Sequence, residues 1–373
     1  MDDYVAFIDY NYYADNFTDN GSVSISFPLD CSGSHLHGSN IFLPIIYYLI
    51  FFSGFLGNLF VILVVGSKGK RGGRLVDTFV VNLALADLIF VLTLPLWAAS
   101  AGQDGYWNFG PAGGLLCKLS SYVIAVNRFS NILFLTCMSV DRYLAIVKLM
   151  DSRYLRRSRC IYGTCAAVWL TSLVLGIPSL VYRRVESNSD GVSCMEDDSS
   201  AFFLCMSLTM ALLTFVIPVL IIMLCYGTII MHLNKHCFTA GNPRADARRR
   251  HSVKMVLCII VAFVVSWLPF NVFKTIIVVS QISEAELSCE THSWQRNGFL
   301  ISCCLAFLNS CVNPAIYFFL DHHFRRRAQM LFMSCVGRSK LPQSYNSSAS
   351  FTNGGTSESF AATSGRSQLQ MLQ

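Results

Sequence analysis

Asp87 stands inside a run of mostly apolar residues, about Leu75 to Ala101, in which Asp77 is the other charge. If that run spans a bilayer, an ionisable group within it costs several kcal/mol unless partnered, which makes Asp87 a functional candidate by default. Arg142, between Asp141 and Tyr143, carries five guanidinium donors and can exchange one acidic or hydroxyl partner for another. Arg128 and Lys274 are further cations within apolar runs, and Pro178, Pro218, Pro269 and Pro314 interrupt others. A proline frees a backbone carbonyl inside its helix and allows a kink that neighbouring groups then satisfy.

Catalysis is not expected, because no nucleophile-and-base motif or metal cluster falls on any one face. Of the 15 cysteines, eleven show no paired CxxC or His spacing suited to zinc and read as small apolar fillers, Cys303 and Cys304 among them. No transition-metal site is therefore expected.

The elements that must position these residues are membrane helices. Only 13% of the 373 residues are charged and 53% are hydrophobic, whereas about a quarter of a soluble domain is charged. Crossing the hydrocarbon takes roughly 20 mostly apolar residues. Seven stretches qualify: about 41–66, 75–101, 115–147, 160–182, 201–231, 255–279 and 297–320. The expected fold is all-α, a seven-transmembrane helix bundle over 41–320, with a short amphipathic eighth helix over 321–335. Residues 1–40 read as a flexible N-terminal segment and 336–373 as a disordered tail.

Orientation follows from the loops. Those after helices one, three, five and seven, with the adjoining helix ends and the tail, hold 22 of the 28 Lys and Arg residues. Loops rich in these residues stay cytoplasmic, so the N-terminus is expected outside and the C-terminus in the cytoplasm, with helix one acting as an uncleaved signal-anchor. The net charge of +6 belongs to these loops and reads as contact with anionic membrane lipids rather than with nucleic acid. Cys31, Cys117, Cys194 and Cys289 then lie outside, where three pairings are open. Asn16 and Asn20 head glycosylation sequons, and the acids around Tyr10, Tyr12 and Tyr13 suit sulfation. In the tail, Cys335 is a palmitoylation candidate. The serines and threonines beyond it suit kinases.

Short motifs recur in helix order: Gly57-Asn58, Asn82 to Asp87, Asp141-Arg142-Tyr143, Trp169, Pro218 with Tyr226, Phe263 with Trp267-Leu268-Pro269, and Asn313-Pro314-Ala315-Ile316-Tyr317. Over about Ile41 to Met333 the chain resembles the rhodopsin-like G-protein-coupled receptors. Thr93 to Trp97 and Trp107 to Gly110 are similar to the chemokine-receptor branch. Arg74 to Phe79, Cys117 to Ser121 and Pro178 to Arg183 resemble the orphan-type G-protein-coupled receptor 25 group, with receptor 15 next nearest.

The resemblance implies disulfides Cys117–Cys194 and Cys31–Cys289. It implies a sodium pocket of Asp87, Asn127, Asn309, Ser310 and Asn313 under Trp267, with Asn131 standing where relatives often carry Ser. The alternative is a protonated Asp87 satisfied by neighbouring amides. No organic cofactor is expected, and sodium would be an allosteric ligand. Ile132, Pro218 and Phe263 match the connector between pocket and cytoplasm, with Trp267, Pro269, Asn313, Pro314 and Tyr317 beside it. Arg142 would pair with Asp141 at rest and turn to Tyr226 or a G protein when active. A second restraint from helix six is not expected, since Arg248-Arg249-Arg250 replaces the acid many relatives carry.

By the same placement, Trp97, Tyr122, Ile124, Arg128, Arg183, Phe270, Asn271, Lys274 and Cys303 line an aromatic, positive cavity. Cys303 holds the place where chemokine receptors commonly carry Glu. The cavity is expected to receive a ligand's acidic or carboxylate end, unless Arg128 pairs internally and Lys274 snorkels to water. The expected function is a plasma-membrane receptor for a chemokine-like peptide or small protein, acting through a heterotrimeric G protein of the inhibitory type and then receptor kinases and arrestin. The alternatives are a scavenger that internalises ligand without G-protein signalling, and a transporter or channel.

Overall fold

A computed structural model of the protein describes residues 36, 38–66, 75–147, 158–188, 191–196, 200–236, 243–283 and 287–335. Seven helices in it are long and apolar enough to cross a membrane: Ser39–Gly66, Asp77–Ala101, Gly110–Ile146, Arg159–Val181, Ala201–Leu233, Val253–Ile282 and Cys289–Leu320. They are called helices one to seven below. Helix three is the central element, with 61% of its apolar window buried against 11% for helix five. A helix as apolar as the fifth that buries so little protein surface must present the rest to lipid.

Prolines set the irregularities. Pro218 has no N–H to give the Thr214 carbonyl and its ring crowds that turn. Helix five accordingly widens into a π segment over Leu212–Val216 before resuming at Ile217. Helix two, read from hydropathy as one run, is two pieces, Leu75–Val91 and Leu94–Ala101. Pro95 sits in the first turn of the second piece, where a missing N–H costs least. The Thr93 hydroxyl donates to the Phe90 carbonyl at 2.8 Å and satisfies part of the break.

Helix seven begins at Cys289, earlier than its apolar run indicates, because Ser288 caps it by accepting from the Thr291 N–H at 3.3 Å. A short helix, His322–Cys335, follows it. Asp321 starts that helix by accepting from the N–H groups of His323 and Phe324 at 2.9 and 3.3 Å.

Between helices four and five lies a hairpin that hydropathy did not reveal, β1 (Arg183–Asn188) paired antiparallel with β2 (Gly191–Glu196). Its Cys194 is disulfide-bonded to Cys117 at the start of helix three, with Cα atoms 5.7 Å apart. Near that same end of the bundle, helices six and seven meet closely at Gly298. A Cβ there would fall 2.1 Å from the Phe273 ring, which is tilted against Trp294 with centroids 5.1 Å apart. Gly298→Ala should therefore cost about 1 to 3 kcal/mol through forced repacking, seen as a lower midpoint in thermal unfolding of the purified protein.

Candidate functional site: a cationic cavity above a polar core

A cavity of about 300 Å³ opens among the seven helices and the β1–β2 hairpin. It is lined by Trp97, Ile124, Arg128, Arg183, Phe270, Asn271, Lys274 and Cys303, eight of the nine residues the sequence assigned to it. The ninth is a correction: Tyr122 faces a separate apolar groove with Val126, Trp169 and Leu173. Its hydroxyl donates to the Leu173 carbonyl at 3.0 Å, and its ring lies where Gly176 of helix four leaves space. Six residues of helix three, at about 100° each, set Tyr122 about 120° round the helix from Arg128.

Arg128 is held between rings, its guanidinium carbon 4.6 Å from the Phe129 centroid and 5.5 Å from that of Phe270. Such stacking is worth up to about 2 kcal/mol when desolvated. Its Nε is buried without a hydrogen-bond partner. Arg183 donates to the Cys194 carbonyl at 3.4 Å. Lys274 is neither free nor snorkelling, because it forms an ion pair with Glu196 at the end of β2. Sequence reading missed Glu196: it lies 78 residues from Lys274, and no local pattern joins a loop acid to a helix-six cation. Burial opposes its charge, but Lys274, Arg183 and Arg128 outweigh burial and hold Glu196 below the usual glutamate range. Three cations and one carboxylate are therefore the charged groups of the described lining.

The cavity floor is aromatic. Trp267 packs on Phe270 at 5.5 Å and on Phe263 at 6.1 Å, and Phe263 approaches Phe215 at 6.5 Å. Ile132 and Phe263 are each 1% exposed and belong to the same buried core. Pro269 lies within helix six and Pro314 within helix seven.

Below it, Asp87 is fully buried. Its Oδ1 accepts from Asn127 Nδ2 at 2.9 Å, Asn131 Nδ2 at 3.0 Å and Ser310 Oγ at 3.0 Å. Its Oδ2 accepts from Asn313 Nδ2 at 3.1 Å. The buried amide oxygens of Asn131, Asn309 and Asn313 have no hydrogen-bond partner. A carboxylate whose amide partners Asn131 and Asn313 keep unpartnered oxygens is a donor set that fits a hard cation. Among the described residues, no group of three His, Cys, Asp or Glu could hold a metal ion.

At the far end, Arg142 lies 3.4 Å from the carboxylate of Asp141, its own neighbour. Tyr143 packs at the edge of the core, and the hydroxyls of Tyr226 and Tyr317 are buried without hydrogen-bond partners. The side chains of Arg248 to Arg250 lie outside the described residues, as do Asn16, Asn20, Tyr10, Tyr12, Tyr13 and Cys31. Cys289 is disulfide-bonded. Cys335 ends the short helix. Arg327 of that helix reaches Asp77 at the start of helix two at 2.8 Å, and Phe324 packs on Phe60 and Tyr317.

Seven spanning helices around a buried Asp87, with an arginine-bearing helix three at their centre, define a seven-transmembrane receptor. Residues 57–317 match the 7 transmembrane receptor (rhodopsin family) model, and the chain belongs to that family. It is a class A G-protein-coupled receptor, a multi-pass membrane protein and not an enzyme. Among curated relatives it is 38% identical to the mouse "Probable G-protein coupled receptor 25", covering 83% of each chain. It is likewise 38% identical to mouse "G-protein coupled receptor 15", over 81% of this chain and 82% of that one. "Apelin receptor A" of Danio rerio is 34% identical over 86% of this chain and 88% of its own.

Proposed function

We propose that this is a plasma-membrane receptor whose cavity takes the acidic or C-terminal carboxylate end of a chemokine-like peptide or small protein. Its N-terminus is outside and its tail cytoplasmic. Ligand binding shifts a resting-to-active equilibrium in which helix six opens for an inhibitory heterotrimeric G protein. Receptor kinases and arrestin then read the tail, and the short helix after helix seven rests on membrane lipids. The observation that carries this reading is the convergence of Arg128, Arg183 and Lys274 on one cavity. At about 300 Å³ that cavity is at the small end of ligand sites, so a terminus enters it and a folded body stays outside. Sodium, if bound, is held by Asp87, Asn127, Asn131, Asn309, Ser310 and Asn313 under Trp267 and supplies a positive charge to offset the buried carboxylate.

The test is inhibition of cyclic AMP in cells by a panel of chemokine-like proteins with apelin, for which a relative is named. Wild type is compared with Arg142→Ala and with Arg128→Ala plus Lys274→Ala at matched surface expression. The double variant should lose about 10- to 100-fold in potency for each charge-assisted hydrogen bond removed. Arg142→Ala should keep binding and lose signalling. Uptake of a panel member with no response sensitive to Arg142 would replace this reading with the scavenger.

A further inference from the structure

We propose that Glu196 is the cavity's own stand-in anion: its carboxylate occupies the place on Lys274 that a ligand's carboxylate takes, and acidic ligands bind by exchanging with it. This rests on the anionic-terminus reading above and specifies which group that terminus must displace. Three observations support it.

Glu196 is the last residue of β2, two residues beyond Cys194, whose disulfide to Cys117 fixes the strand over helix three. The backbone is thus clamped while the side chain reaches across to helix six. The ion pair is also accessible, with 26% of the Lys274 side chain and 29% of that of Glu196 exposed. A carboxylate arriving through the cavity can therefore meet Lys274 without unfolding anything. Finally, the charges do not balance. With Glu196 in place the described lining still carries two excess positive charges, one of them Arg128 with its Nε unpartnered. A second anion is attracted before the first has left, which is what exchange requires. The hydrogen bonds to the arriving group also replace those it breaks, so little is lost on the way.

An octapeptide library prepared as free C-terminal acids and, in parallel, as amides tests this on the full-length receptor in lipid nanodiscs. Binding is measured to wild type, Glu196→Gln, Lys274→Gln and the double variant. Exchange predicts that Glu196→Gln raises the affinity of free-acid members about tenfold, the scale of one charge-assisted interaction released from competition. It leaves amides unchanged and has no effect on top of Lys274→Gln. Free acids that gain nothing, or amides that gain equally, overturn the exchange and leave Glu196 a structural clasp. Binders that do not distinguish acid from amide in any of the four forms overturn the carboxylate-terminus reading itself. Discrimination present in wild type but unaltered by Glu196→Gln removes only the exchange.

Discussion

Cys117→Ser should lower the unfolding free energy by about 4 kcal/mol, because the disulfide to Cys194 closes a loop spanning 77 residues and loop-closure entropy on that scale is worth this much. The expected readouts are a large fall in surface expression and, for protein that does reach the membrane, a lower thermal midpoint. Binding should fall further than stability, since the hairpin that supplies Glu196 and Arg183 to the cavity is held to helix three by this bond. A variant with normal expression and unchanged ligand affinity would show that the hairpin is held by its other contacts. Those include the Trp107 N–H donated to the Val192 carbonyl and the bridge between Tyr106 and Ser193.

Arg327→Ala is the second large effect, about 3 to 5 kcal/mol. Arg327 and Asp77 lie 2.8 Å apart with side chains only 9% and 10% exposed, and removing one partner of a buried pair withdraws a compensating charge from the other. Asp77 is in the first turn of helix two, where the helix dipole favours an acid by up to about 1 kcal/mol, which places the cost toward the lower end. The matching test is Asp77→Asn with Arg327→Ala, which removes both charges and should recover most of the loss. Thermal unfolding of the two single variants and the double variant gives the coupling directly. If the losses simply add, the pair contributes nothing beyond its separate residues.

The seven spans were legible because twenty apolar residues in a row have few other uses, and the class because Asp87, Arg142, Trp267 and Asn313 each stand on their own helix. Which way a side chain faces was less legible. In a membrane helix both the lipid face and the core face are apolar, so Tyr122 and Ile124 carry no pattern that sends one to a groove and the other to the cavity. The break in helix two was marked by Pro95 but hidden by the unbroken hydropathy around it. Pairs distant in sequence were invisible: Lys274 with Glu196 is separated by 78 residues and Arg327 with Asp77 by 250. The cluster around Asp87 was read through resemblance, and the structure adds how its four donors are shared between the two carboxylate oxygens.

If ligands bind by the exchange proposed above, the anchoring of Glu196 two residues from Cys194 also sets a threshold for which anions count as signals. A carboxylate tethered so close to its partner competes at an effective concentration on the order of millimolar or higher. Free acetate, lactate or a lone amino acid in the surrounding fluid brings one carboxylate and little else, and is outcompeted by the tether. A polypeptide end that also packs on Trp97, Trp267 and Phe270 brings the additional contact energy needed to displace it. On that proposal the clamped hairpin works as a filter against small acids.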